Sequence, residues 1–205
     1  MANLDLRLSK NFTLGEFLRS STAERHEKIA IEQNDPSEEV IDNLRYLCAN
    51  TLQPLRERLG APMKITSGYR CKSLNDLVGS TDRSQHLKGQ AADVQLSAAF
   101  VKSARFLKAK NRIIARVKSL TGNDLREDAN SNFYLFSYIC IRLEGLDIDQ
   151  VIHEYGEKLG KPGWVHVASS EGERNRRQIL ALGRYLDGGK DKPDLIGALN
   201  YGTWS

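Results

Sequence analysis

Cysteine is scarce in this sequence: Cys48, Cys71 and Cys140 are the whole complement. Three scattered thiols build neither a disulfide framework nor a cysteine-type zinc knot, and they read as reduced, partly buried side chains. No apolar run approaches the roughly 20 residues that a bilayer-crossing helix needs, so no membrane span is expected. The N-terminus, Met1-Ala-Asn-Leu-Asp-Leu-Arg-Leu8, lacks the basic-then-apolar layout of a secretory signal, and the expectation is a chain made and folded in the cytosol. Internal repeats, low-complexity tracts and linkers are missing too. With 205 residues, enough to bury a core without staples, one domain over 1–205 is expected. Charge is not lopsided either. A net +4 is compatible with an anionic partner but does not argue for one.

What is present is punctuation and periodicity. Thr13-Leu-Gly-Glu16 has the capping-box arrangement and predicts a short helix carrying Phe17 and Leu18 inward. Asp35-Pro36-Ser37-Glu38 repeats the signal with proline at the first helical position. Val40, Leu44, Leu47, Cys48 and Leu52 then recur at helical spacing; Pro54 should kink or interrupt that helix, and Gly60 should end it. Met63–Ser67 and Ala91–Leu96 read as strands. Ala98 to Leu120 reads as a helix with a strongly basic face, Thr121 to Asn132 as a loop, and Phe133 to Leu143 as a buried element of either kind. Ile148–Glu154 and Trp164–Ala168 read as strands joined by a glycine-rich hairpin, and Arg174 to Leu186 as a last helix.

The chemistry concentrates in Ser84-Gln-His-Leu-Lys-Gly-Gln-Ala-Ala-Asp93. Asp93 lies on a strand whose neighbours Ala92 and Val94 point to the opposite face. Gly89 permits a sharp turn that folds the His86 imidazole back beside that carboxylate, and a His nitrogen with an Asp oxygen makes two reasonable zinc ligands. A polar histidine in a turn and an aspartate at a strand edge are the plain alternative. The third candidate is His166 in Trp164-Val-His-Val-Ala168, where alternation puts Trp164, His166 and Ala168 on one face; a hydrogen-bonded core histidine is its plain reading.

Ser84-x-His86-x-x-Gly89-x-Ala91-x-Asp93, followed far downstream by Trp164-x-His166, resembles the zinc D-Ala-D-Ala carboxypeptidases. These share a fold with D-Ala-D-Ala dipeptidases, phage L-Ala-D-Glu cell-wall endopeptidases and the hedgehog signalling domain. Ile65-Thr-Ser-Gly-Tyr-Arg70 is similar to the family's strand before the active-site wall, and Phe12-Thr-Leu-Gly-Glu-Phe17 resembles the N-terminal segment of its phage and bacterial members. The resemblance runs from Phe12 to Ala168. It implies an α+β fold, a small central antiparallel sheet with helices around it and a core at 12–170; the stretch 98–143 is longer than the family's and reads as a helical insertion, and 171–205 reads as a C-terminal helix and tail. It also implies one zinc ion held by His86, Asp93 and His166, with a fourth position open for water as in catalytic sites.

A carboxylate must still take the water's proton and pass it to the leaving amine. Several members carry an acid three residues before the last histidine, where this chain has Gly163. The resemblance offers Glu154 instead, in Asp149-Gln-Val-Ile-His-Glu154, a segment similar to Asp-Gln-x-x-x-Glu of phage-type members. Glu154 shares a strand face with Ile152 and Gln150 while His153 faces the other way, so only one of the two leans toward the metal. The alternative is an exposed glutamate at a strand end. Arg70 is the implied clamp for a substrate carboxylate or oxyanion, with a plain surface arginine as its alternative. Ser84 bonds substrate or merely shapes its turn, and Trp164 walls the cleft or simply packs. Cys71, with no base near it in sequence, is expected to be inert.

The implied activity is zinc-dependent hydrolysis of bacterial peptidoglycan peptides, of carboxypeptidase or endopeptidase type, in a protein reaching the wall by phage lysis or another route. A catalytically silent, hedgehog-like zinc binding module is the alternative. The expected partner is the peptide substrate. No membrane is expected, and no base-reading motif accompanies the basic stretch Lys102–Lys118 to argue for nucleic acid.

Overall fold

The computed structural model describes residues 2–122, 131–154, 163–172 and 175–182. Its centre is a five-stranded sheet in the order β3-β4-β6-β5-β7. The strands are β3 (Met63–Ser67), β4 (Ala91–Leu96), β5 (Gln150–Glu154), β6 (Trp164–Ala168) and β7 (Gln178–Leu182). The first four pair antiparallel, and β7 joins β5 in parallel. A small ribbon of β1 (Arg7–Ser9) and β2 (Phe12–Thr13) precedes them. The architecture is α+β, as the sequence implies.

Alternation gives the sheet two faces. Ala92, Val94, Val151, Val165 and Val167 are buried on one of them, where α8 (Ser131–Ile141) lies across it. This element is helical, which its pattern could not say beforehand, because it is apolar all round and so buried all round. Each aliphatic side chain fully buried there contributes about 1.5–3 kcal/mol. The helical stretch expected near 98–143 is present but broken. Ser97 caps α6 (Ala98–Val101) and Ser103 caps α7 (Ala104–Thr121), each hydroxyl accepting from a backbone amide. Phe106 of α7 meets Tyr134 of α8 edge-on at 5.0 Å, so α7 forms a further layer outside α8. No helix among the described residues is long and apolar enough to cross a membrane.

The N-terminal helices follow their caps. In α1 (Leu14–Leu18) the Thr13 amide donates to Glu16 Oε2 at 2.9 Å, closing the expected box. After α2 (Glu27–Gln33), α3 (Glu38–Leu47) starts from Ser37, whose hydroxyl accepts from the Val40 amide; Pro36 therefore precedes the cap instead of occupying the first turn. Pro54 acts one turn upstream of itself. It has no amide hydrogen, and the chain widens into a π turn over Cys48–Leu52 before resuming as α4 (Gln53–Leu59). Gly60, at φ 61°, closes α4, and a short α5 (Lys72–Leu77) follows β3.

Three further sequence expectations are corrected. Ser131 and Asn132 are helical, whereas the loop was expected to reach Asn132. The strand expected from Ile148 begins at Gln150. The C-terminal helix expected over 174–186 is instead β7 at Gln178–Leu182. Leucine and alanine favour helix locally, but the open edge of β5 offers five consecutive pairings, and tertiary pairing overrides propensity. The remainder of that expectation, like the hairpin tip at 155–162, lies outside the described residues.

Candidate metal centre

The face opposite α8 carries the site. Asp93 and His166 are direct partners across β4 and β6, so their side chains stand side by side on it. His86 comes from a 3-10 turn, Gln85–Lys88, that ends at Gly89 with φ +69°. A side chain at 89 would be strained there, and its Cβ would sit 2.7 Å from the Val40 carbonyl oxygen. On the far side, Gly68 presents its carbonyl 2.6 Å from His86 Nδ1. That oxygen can only accept, so Nδ1 carries the proton and Nε2 keeps its lone pair for the site. Gly68 is itself fixed in kind, since a Cβ would stand 2.6 Å from the Phe17 backbone.

Three ligand atoms converge. His86 Nε2, Asp93 Oδ1 and His166 Nδ1 are 3.2–3.3 Å from one another, and all three residues are buried. A tetrahedral ion with bonds of about 2.0–2.1 Å spaces its ligands about 3.3–3.4 Å apart, so this triangle has the size of one tetrahedral face. The other nitrogen of His166, Nε2, is buried without a hydrogen-bond partner. Two imidazoles and a carboxylate packed this closely are poorly satisfied by protons alone, and they fit a divalent cation.

Asp93 is held as the anion. Burial by itself pushes its carboxyl up, but the adjoining His86 and His166 outweigh that and hold it well below the usual carboxylate range. Its second oxygen, Oδ2, accepts from Arg70 Nη2 at 3.0 Å. Arg70 Nε donates to Ser67 Oγ at 3.1 Å, and Ser67 reaches that face because a bulge in β3 shifts the register between Ile65 and Ser67. The segment Ile65–Arg70 thus supplies the carbonyl that orients one ligand and the guanidinium that orients another.

A cleft of about 1090 Å³ opens over the centre, lined by His86, His166, Arg70, Ser84 and Glu154 among others. Glu154 is oriented by the Trp164 indole, whose Nε1 donates to Oε2 at 3.0 Å. Burial first, and the Asp93 charge second, push the Glu154 carboxyl above its ordinary value. His153 points the other way, against Phe133 and Phe136, with ring centroids 5.6 and 5.5 Å apart. Cys71 is buried, and burial raises its thiol pKa, which matches the expected inertness.

Residues 10–116, more than half of the chain, match the peptidase M15 family. The chain belongs to the peptidase M15 family. No curated protein matches it. M15 peptidases are zinc-dependent, and membership makes this chain a zinc metallopeptidase whose His86, Asp93 and His166 fit the ion. The matched span holds Arg70, Ser84, His86 and Asp93 but stops before Glu154 and His166, which the fold brings to the same cleft.

The sequence did not reveal one support. Gln33, buried at the end of α2, donates to the Leu18 and Tyr69 carbonyls and accepts from the Cys71 amide, pinning the Gly68–Cys71 loop beneath the site. A lone glutamine closing a helix carries no motif, and only its burial betrays the role.

Proposed function

We propose that this M15 peptidase hydrolyses peptides of bacterial peptidoglycan, as a carboxypeptidase or an endopeptidase, with zinc held by His86, Asp93 and His166. The observation that carries the reading is the 3.2–3.3 Å triangle of His86 Nε2, Asp93 Oδ1 and His166 Nδ1 beneath an open cleft. His86, Asp93 and His166 would hold the zinc, which would supply polarisation of a scissile carbonyl and acidification of a water.

Glu154 takes the water's proton and returns it to the leaving amine. Its raised affinity for a proton suits both halves of that transfer, and the Trp164 bond keeps the carboxylate from rotating away. Arg70, fixed through Nε and Nη2, keeps Nη1 to meet a substrate carbonyl or carboxylate. Ser84 contacts the bound peptide from the cleft wall. The wall-peptide substrate is supported by the resemblance and by charge. Arg70 and Arg176 are neutralised by Asp93 and Asp149, which leaves Arg19, Lys64 and Arg83 against Glu24 and Glu154, a slight positive balance compatible with an acidic peptide.

Glu154→Gln keeps the shape and the indole bond. Hydrolysis of peptidoglycan fragments is expected to fall about 10²–10⁴-fold with bound zinc unchanged; full activity in that variant removes Glu154 from the mechanism. One observation favours a second reading. Gly163 supplies no acid before the last histidine, and its carbonyl is bonded by Gln95 and Asn132. A wild-type chain with one zinc and no hydrolysis is the result a silent binding module gives.

A further inference from the structure

Asp149 takes no part in the chemistry above, yet it is among the most heavily bonded side chains of the molecule. It is buried at the entrance to β5, 6% exposed. Its carboxylate accepts from Arg176 on both oxygens, from Nε at 2.9 and 3.2 Å and from Nη2 at 2.6 Å. The Arg176 backbone amide donates to Oδ1 at 2.9 Å, and Gln85 Nε2 donates to Oδ2 at 2.9 Å. The Asp149 backbone is equally engaged: its amide donates to Ala168 O at 2.7 Å, and its carbonyl accepts from the Gln178 amide at 2.8 Å.

One side chain therefore ties together three segments far apart in sequence. Gln85 is the residue before His86, in a turn of only four residues. Such 3-10 turns have poor hydrogen-bond geometry and drift unless held from outside. Gly68 holds the imidazole from one side, and the Arg70 amide holds the His86 carbonyl at 3.1 Å. The Gln85–Asp149 bond is the tether to the β5 end of the sheet, 64 residues away. Arg176, which leads into β7, completes the charge of the buried carboxylate and makes it a fixed point.

We propose that Asp149 is a positioning residue that acts through Gln85 to hold the His86 turn in zinc-binding register, with Arg176 locking it in place. This rests on the reading of His86 as a ligand. Partners beyond the first coordination sphere set metal affinity because a ligand that must be reoriented loses part of its binding energy to ordering.

The test is zinc affinity, measured by competition with a chromophoric chelator on the full chain, with circular dichroism confirming the fold. Asp149→Asn and Gln85→Ala are each expected to weaken zinc binding about tenfold. The double variant should be no weaker than the worse single one, because the two residues act in series. Additive losses, or either folded variant within twofold of wild type, overturn the inference. Gln85→Ala carries the test alone if Asp149→Asn does not fold, since residue 85 is only half-buried. His86→Ala separates the two claims. If it holds zinc as tightly as wild type, the ligand reading fails; if it loses zinc while Asp149→Asn does not, only the positioning role fails.

Discussion

His153 and Glu154 are chain neighbours with opposite surroundings, and the difference is measurable. Burial against Phe133 and Phe136 lowers the His153 pKa from 6.5 to about 4. Between those values the unfolded chain binds a proton that the folded chain refuses. The contribution to stability is therefore complete above pH 6.5 and is lost as pH falls toward 4, by on the order of 2–3 kcal/mol. His153→Phe removes the titration, so urea unfolding at pH 7 and pH 4.5 should show a smaller acid loss in the variant than in wild type. Equal losses contradict the assignment. Asp149 behaves in the same direction at lower pH. Burial alone raises its pKa, but the Arg176 and Gln85 bonds outweigh that and keep it below 3.8, so its contribution is present above 3.8 and fades beneath it.

Among elements, the turn carrying His86 depends on glycine in a way that a paired substitution exposes. Gly89 and Gly79 share the left-handed conformation, at φ +69° and +71°, but a Cβ at 89 strikes the Val40 carbonyl while one at 79 meets nothing within 4 Å. Both alanine variants lose about 1–2 kcal/mol from conformation alone. Only Gly89→Ala should also weaken zinc binding, and chelator competition on the two variants checks it. The same contrast between local and distant causes decides what the sequence made legible. Met63–Ser67, Ala91–Leu96 and Trp164–Ala168 are readable to their ends, because short runs of aliphatic and branched residues next to glycines mark strands even where both faces are buried. The meeting of His86, Asp93 and His166 is what the family resemblance implies, and strand parity is enough to put Glu154 and not His153 on the cleft face. The parallel strand β7 is not, since nothing in Gln178–Leu182 encodes the edge it will pair with. Nor is the Arg70–Asp93 bond, which depends on a bulge in β3 that no residue type announces.

Across the whole molecule the centre joins a turn, an edge-adjacent strand and the central strand, so the ion binds only the folded chain. Zinc at about a thousand times its dissociation constant should stabilise the protein by about 4 kcal/mol. Thermal unfolding with zinc and with excess chelator should differ accordingly, and His166→Ala should erase the difference; an unchanged midpoint in wild type argues against a native zinc site. The sheet order also has a consequence during synthesis. β6 lies between β4 and β5, both of which leave the ribosome before it, and His166 follows His86 by 80 residues. A nascent chain owns two thirds of the chelate at most until the middle strand slots in between its two earlier neighbours. A hydrolase assembled in that order is latent by topology, unable to cut anything until the strand that carries His166 has emerged and paired.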